Sequence, residues 1–500
     1  MNTNTTYQQV RQKGSHNSYQ RSEGYDDQLL YWRIRSLEID IHNSNNKDHW
    51  PAVNGDWYVY HTSTDDDTSV NTLSDALDVL MAFHRAIPEH EVITIWLDLK
   101  DSFVASSNQT PQSLDDLFAN KLGLDNIWGP PNLIGSENNL QSAINAYGWP
   151  TLDSLQGKFI IACTTGDLAS PDSHLNQYVD NGATANQRLA FVAPDLSNSN
   201  EIEAHNYAII FNLSSSKVAL SQSVFNAGFI SRAYGLDSQD DWCDAWNNQV
   251  HHLASNKVNA TADEWARTDL VNTGYPFTGI NTSLDPNTTE IGALFAIKVN
   301  SGDLDGESDS CYFQFDNNPN AVDTTLTAFI GNPESHVNSY IKAGLMARAS
   351  NHPNSSYVAM LRTGSNGIRM QFRLNDGDDT FSIDAQIADG VNGEPSVGIN
   401  TPMWLQLSIS NGGKTVKGSY STDGTNWIFT GQANTASSLA NQGWVASSHG
   451  DGEVKWLFGG MQAPSTGQAI GDNAAGVFIS SSAEAASLGP KQSKYQCDNN

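Results

Sequence analysis

Four short stretches carry side chains whose types and spacing suit acid–base chemistry on a charged substrate. They are His16 and Asn17 in "KGSHNSYQ", Glu38 and Asp40 in "RSLEIDIH", His61 at the end of "WYVYH", and Asp98 and Lys100 in "LDLKDSF". Alternate side chains of a β-strand point to opposite faces, so Leu37, Ile39 and Ile41 share one face of "LEIDI" and Glu38 and Asp40 the other. The same rule sets Thr94, Trp96, Asp98 and Lys100 of "VITIWLDLK" opposite Ile93, Ile95, Leu97 and Leu99. An E-x-D or D-x-K pattern on its own is ordinarily solvated surface. Here both strands are flanked by runs of buried character, and a barrel strand hides both of its faces. Three carboxylates inside a barrel need a cation or hydrogen-bond donors to stay ionised, and oxygens of Asp, Glu and Asn suit a hard ion such as Ca2+ or Mg2+.

His16 and His61, taken singly, are more readily structural than catalytic. At the ends of two expected strands, with the carboxylates between them in sequence, they fit an acid and base pair whose ordinary pKa suits neutral pH. Attack on a phosphodiester needs a base for the nucleophile, an acid for the leaving group and positive charge for the phosphoryl oxygens. His16, His61 and a metal held by Asn17, Glu38, Asp40 and Asp98 would supply all three.

The elements that must position these groups follow from periodicity. "SLEIDI", "WYVYH", "VITIWLDL", "KFIIAC", "GFISRA" and "VHHLA" are expected strands, and Leu73, Ala76, Leu77, Leu80, Met81 and His84 recur at helical spacing before Pro88 ends the run. Up to eight such units fit before about residue 275, which matches an α/β (β/α)8 barrel of the TIM type with its site at the C-terminal ends of the strands. From Gly274 the stretch "YPFTGINTSLDPNTTEIG" reads as a linker. Beyond it "ALFAIKV", "YIKAGLMARAS", "YVAMLRT", "IRMQFRL", "WLQLSIS", "TVKGSYS" and "GEVKWLFGG" are short, often alternating runs separated by turns such as "NDGDD" and "TDGTNW". The expected domains are a barrel over 1–275 and an all-β sandwich over 276–500.

Composition bounds the partners. The 500 residues carry a formal net charge of −29, which repels nucleic acid and anionic membrane at long range. No run is long and apolar enough to span a membrane, and "MNTNTTYQQV" lacks the apolar core of a signal peptide, so a soluble chain is expected. Cys163, Cys243, Cys311 and Cys497 are scattered without zinc spacing, leaving disulfides and buried thiols equally open.

At these residues the chain resembles the bacterial calcium-dependent phosphatidylinositol-specific phospholipases C. The resemblance rests on "SHNSY", "RSLEIDIH", "WYVYH", "LDLKDSF", "GPPNLIG" and "GWPTLDSLQGKF", and covers about the first 270 residues. It implies cleavage of phosphatidylinositol on the diacylglycerol side of the phosphate, with the inositol 2-hydroxyl as internal nucleophile and a cyclic inositol phosphate as first product. Carried over by motif, His16 and His61 are the catalytic pair, and Asn17, Glu38, Asp40 and Asp98 hold Ca2+ more readily than Mg2+. Lys100, Arg232 and Tyr234 are expected to bind substrate. Glu is commoner in the family where this chain has Asp98, which puts metal geometry in question. Eukaryotic relatives carry lysines in the fifth strand, whereas "KFIIACTTG" offers Ala162, Cys163 and Thr164, and Lys158 sits at the wrong end of that strand. This argues against polyphosphoinositides.

The resemblance also implies transient membrane-surface contact and a secreted or extracellular setting. The same barrel is similar to glycerophosphodiesterases and sphingomyelinase D-type phospholipases, so the headgroup stays open. The C-terminal half resembles concanavalin-like jelly rolls through "KAGLMARAS", "YVAMLRT" and "YSTDGTNW", which implies architecture and leaves the ligand open, with a glycan as one candidate; Trp427 is expected in the core or at its rim more readily than as a sugar platform. A surface- or glycan-binding protein with a vestigial barrel is the alternative of another class.

Overall fold

The computed structural model describes residues 5–258 and 294–479 apart from 31, 33, 47–53, 320, 321, 332–337, 365, 386–402, 451, 461 and 473. The expected linker, the domain boundary at 275 and Cys497 lie outside the described residues. The chain divides into two compact units, one holding an α/β barrel and the other two antiparallel sheets.

The barrel strands are β1 (Gln12–Ser15), β2 (Ser36–His42), β4 (Ile93–Leu99), β5 (Phe159–Thr164), β6 (Phe191–Val192), β7 (Ile210–Ser214), β8 (Ile230–Tyr234) and β9 (His252–Ser255), while β3 (Tyr58–Val59) lies off this path. They run parallel in the order β6-β5-β4-β2-β1-β9-β8-β7. Between β6 and β7 the ring is drawn together by a parallel bridge of Asp195 with Asn212, whose backbone N–H donates to Pro194 O at 3.0 Å. The eight-stranded barrel is thus nearly closed.

The alternation in β2 and β4 is realised. Leu37, Ile39, Ile41, Ile95 and Leu97 are buried on one face while Glu38, Asp40 and Trp96 are buried on the other, so both faces are hidden as a barrel requires. Deeper in the interior, Trp96 Nε1 donates to Ser36 Oγ at 3.0 Å, and Tyr7 joins Thr94 Oγ1 (2.7 Å) to His252 Nε2 (2.9 Å). Burial holds His252 well below its ordinary pKa, so this floor carries no imidazolium. The helix Leu73–Ala86 forms as expected. Thr72 and Asp75 cap its start reciprocally, and Leu73, Ala76, Leu77 and Leu80 are fully buried.

"WYVYH" differs from expectation. Only Tyr58 and Val59 pair, and they run antiparallel to the exit of β2 rather than as a barrel strand. In return, β1, β6 and β7 complete the ring.

In the second unit one seven-stranded sheet comprises Phe295–Val299, Thr324–Ile330, Met403–Ser410, Thr415–Ser421, Ile428–Asn434, Val454–Gly459 and Gly476–Ile479. The other comprises Cys311–Asn317, Lys342–Arg348, Tyr357–Thr363, Ile368–Arg373, Phe381–Asp384, Asn441–Ser447 and Thr466–Ile470. Ile297, Leu405 and Trp456 of the first sheet share one core with Ala343, Met360 and Trp444 of the second, which makes this half a β-sandwich. Trp427 is half-buried behind the turn braced by Asp423. Cys163 and Cys311 are free buried thiols, and Cys243 is disulfide-bonded.

Candidate active site

The C-terminal ends of β1, β2, β4 and β8, with His61 added from the short β3, bring the expected site residues to one mouth of the barrel. Asp40 and Asp98 are direct partners across the parallel β2–β4 pair, and Glu38 stands one residue pair below Asp40 on the same face. Oxygens of Glu38, Asp40 and Asp98 all lie within 4.8 Å of one another. Asn17 follows β1 in the left-handed conformation (φ 45°, ψ 61°), which asparagine tolerates better than most residues. That turn aims its backbone N–H at Glu38 Oε2, 2.8 Å away.

Each carboxylate has its own partners. Glu38 Oε2 also forms an ion pair with Arg232 Nη2, 2.5 Å away. Burial pushes the Glu38 pKa up, but Arg232, His16 and the Asn17 N–H outweigh it and hold the group below the usual carboxylate range. Asp40 is fully buried, and its Oδ2 meets both His61 Nδ1 (2.9 Å) and Lys100 Nζ (2.9 Å). Asp98 Oδ2 accepts from Lys100 Nζ at 2.6 Å. Burial and the neighbouring Asp40 push Asp98 up to about 7 against the pull of Lys100. Burial opposes charge on Lys100, yet Asp40 and Asp98 together raise its pKa above the ordinary lysine value.

The remaining oxygens test whether a cation fits. Asp40 Oδ1 and Asp98 Oδ1 are buried without a hydrogen-bond partner, as costly a state as an unpaired polar atom can have. Asn17 uses its amide nitrogen on Gln20, 3.2 Å away, so its carbonyl oxygen is the end left to offer. Two orphaned carboxylate oxygens, Glu38 and an amide oxygen form the all-oxygen donor set that a hard divalent ion takes. The residues fit the calcium ion that the sequence suggests.

The histidines flank this cluster. His61 hangs from the short β3 and keeps about a third of its side chain exposed, with Nδ1 bound to Asp40. The hydrogen bond to Asp40 raises the His61 pKa, against a smaller opposing effect of burial. His61 is set further by His42, whose Nε2 reaches the His61 carbonyl at 3.3 Å and whose ring lies flat on Tyr60. On the other side His16 stacks on Tyr234 at an interplanar angle of 10°, its Nε2 3.9 Å from Glu38 Oε2 and its Nδ1 3.1 Å from Asn256 Oδ1.

Arg232 is 1% exposed, sandwiched between Trp96 and Tyr234, and spends its guanidinium on Glu38 and on Asn212 Oδ1 (3.0 Å). Lys158 precedes β5 at the far end of the barrel, as expected. Sequence reasoning missed Asp195, Asp237 and Asn256, which lie beyond strand ends in segments without hydrophobic periodicity, and Asn212, which lies within β7. Asp195 accepts from Asn212 Nδ2 at 2.7 Å and is near enough to Tyr234 to help burial raise that phenol's pKa.

Residues 55–272 match the family model described as phosphoinositide phospholipase C, Ca2+-dependent. The span includes His61, Asp98, Lys100, Arg232 and Tyr234, and the fold adds His16, Asn17, Glu38 and Asp40 from upstream of it. No curated protein matches the chain. Among solved structures, a calcium-dependent phosphoinositol-specific phospholipase C from Pseudomonas sp is 22% identical, covering 52% of this chain and 92% of that one at a TM-score of 0.45. The phosphatidylinositol-specific enzyme of Streptomyces antibioticus is 19% identical over 52% and 96%, with a TM-score of 0.43. A glycerophosphoryl diester phosphodiesterase from Silicibacter pomeroyi is 9% identical over 52% and 97%, with a TM-score of 0.29. By the family-model match, residues 55–272 are similar to the Ca2+-dependent phosphoinositide phospholipases C, and the protein is a phosphoric diester hydrolase.

Proposed function

We propose that the protein cleaves phosphatidylinositol to diacylglycerol and a cyclic inositol phosphate. The observation that carries this reading is the three-carboxylate cluster with a histidine on either side, His61 on Asp40 and His16 beside Glu38. The inositol 2-hydroxyl oxygen forms a bond to phosphorus while the bond from phosphorus to the glycerol oxygen breaks. His16 takes up the hydroxyl proton, and His61, charged through its bond to Asp40, delivers a proton from Nε2 to the departing oxygen. Lys100 is the less buried cation of the set and faces the phosphoryl oxygens, whereas Arg232 fixes Glu38 from behind. When bound by Asn17, Glu38, Asp40 and Asp98, a calcium ion would supply Lewis-acid stabilisation of phosphoryl charge. Tyr234 borders the space for the inositol ring.

The enzyme meets its lipid in transient contact with a membrane surface and acts outside the cell, a setting that the disulfide at Cys243 suits. Among the described residues no helix is long and apolar enough to cross a membrane. On the sandwich, a cavity of about 270 Å³ lined by Tyr340, Lys342, Gln371, Phe381 and His449 offers the aromatic and polar groups that a glycan would meet. Retention on a polysaccharide gel, lost in Tyr340→Ala, checks that accessory role. For the barrel the test is turnover of phosphatidylinositol with and without a chelator. A cyclic inositol phosphate that disappears with the chelator and returns with Ca2+ supports the reading. Turnover only of glycerophosphodiesters or sphingomyelin, or of no soluble phosphodiester at all, overturns it.

A further inference from the structure

Strand β9 ends at Ser255, and the residue that follows is held by a carboxylate absent from every motif. Asp237 Oδ1 accepts from the Asn256 backbone N–H at 2.7 Å and from Ser255 Oγ at 3.1 Å. Its Oδ2 accepts from Asn256 Nδ2 at 2.6 Å. A carboxylate can only accept, so the NH2 end of the amide must face Asp237 and the amide oxygen must face away. That oxygen lies 3.1 Å from His16 Nδ1. An amide oxygen also can only accept, so Nδ1 has to carry the hydrogen. The ring has little room to turn, because its backbone N–H is tied to Ser255 O at 3.0 Å and its face lies on Tyr234.

We propose that Asp237 and Asn256 are positioning residues that hold His16 in the tautomer with hydrogen on Nδ1, so that Nε2 alone is presented to the substrate. The inference rests on the reading of His16 as the group that takes up the hydroxyl proton, and deepens it. In the neutral ring the lone pair then sits on Nε2, the nitrogen on the side of the carboxylate cluster. The opposite tautomer would turn an N–H toward the hydroxyl and could accept nothing from it. The two histidines are therefore held by different chemistry. His61 leans directly on a carboxylate, whereas His16 leans on a neutral amide with the carboxylate one step behind, so its orientation is fixed without a full charge against the ring.

The test reads the ring itself. In full-length protein labelled with 15N-histidine, the His16 signals are assigned by their loss in His16→Gln and observed where the ring is neutral. The expected pattern has Nδ1 protonated and Nε2 bare. A proton on Nε2 in the parent protein overturns the proposal whether or not the protein turns over phosphatidylinositol. Asn256→Ala and Asp237→Ala should each bring in the other tautomer and lower kcat roughly 10- to 100-fold with KM within about twofold. The double variant should lose no more than the worse single one, because the two act in series. Additive losses, or variants that keep the parent tautomer, overturn the proposal. Should Asp237→Ala fail to fold, Asn256→Ala carries the test, since it leaves Asp237 its bonds to Ser255 and the backbone. A correct tautomer in a protein that hydrolyses no phosphodiester would leave the lock standing and remove the catalytic reading.

Discussion

Replacing Asp98 by Asn should make the metal-free protein more stable and the enzyme inactive. A carboxyl held at about 7 instead of 3.8 costs on the order of 4 kcal/mol to ionise, at ~1.4 kcal/mol per pH unit. Asp98 shares that repulsion with Asp40 and keeps the opposing pull of Lys100, so a realised cost of about 2 kcal/mol is expected. The folded carboxyl binds its proton more tightly than the unfolded one. In chelator, therefore, the stability of the parent falls as pH rises from about 4 to about 7. An amide does not titrate, so the advantage of Asp98→Asn is small near pH 4 and full above pH 7, where it amounts to roughly 4–8 °C in Tm. The amide still accepts from Lys100. Calcium should reverse the order: at about 100 times its Kd it adds ~2.7 kcal/mol to the parent and much less to the variant. Scanning calorimetry between pH 4 and 8, with chelator and with Ca2+, measures both effects. A variant less stable than the parent in chelator at pH 8, or one that gains as much from calcium, would refute the electrostatic account of this cluster.

Because Asp98 must lose its proton to ligate a cation, the apparent Ca2+ affinity should rise about tenfold per pH unit below pH 7 and level off above it; titration calorimetry at fixed ionic strength reads this directly. His61→Ala should slow phosphatidylinositol cleavage by roughly 10²- to 10⁴-fold, with much of the loss recovered on a substrate bearing an acidic phenol leaving group. His16→Ala should show no such recovery, and rescue of that variant instead would exchange the two assignments. A chain ending near residue 275 should fold and hydrolyse a soluble substrate at close to the parental rate, as circular dichroism and turnover would report; loss of soluble protein would mean that the domains share an obligate interface.

What was legible in the sequence is what strand alternation governs. Glu38, Asp40, Asp98 and Lys100 were found because period two admits only one arrangement once "LEIDI" and "ITIWLDL" are strands, and that arrangement is observed. The alternation could not say that Lys100 reaches across to Asp40 or that Arg232 turns inward to Glu38, since both depend on which strands are neighbours. Strand β1, "QKGS", has no apolar run to announce it, because it is buried by the closure of the ring and not by its own composition. "WYVYH" has the composition of a barrel strand, but it pairs over two residues in the opposite sense. Asp237 and Asn256 lie in loops that follow β8 and β9, where no period applies. In the sandwich, strands such as "TGQAI" are held by the ladder to Cys311–Asn317, a long-range partner that no local pattern reveals.

Asp40 and Asp98 are opposite one another in the ladder, and this register makes the geometry of the site discrete. Backbone positions on neighbouring strands come in fixed steps, about 4.8 Å sideways and about 6.6 Å between same-face residues along a strand. A barrel cannot open or narrow that grid by fractions of an ångström without breaking hydrogen bonds around the whole ring. Ion size can therefore be matched only by side-chain reach, one methylene at a time, which gives the Asp found at position 98 its meaning. It is the shorter of the two lengths that a carboxylate can take at that position, and for a cation held there the choice between larger and smaller ions would fall on that single carbon.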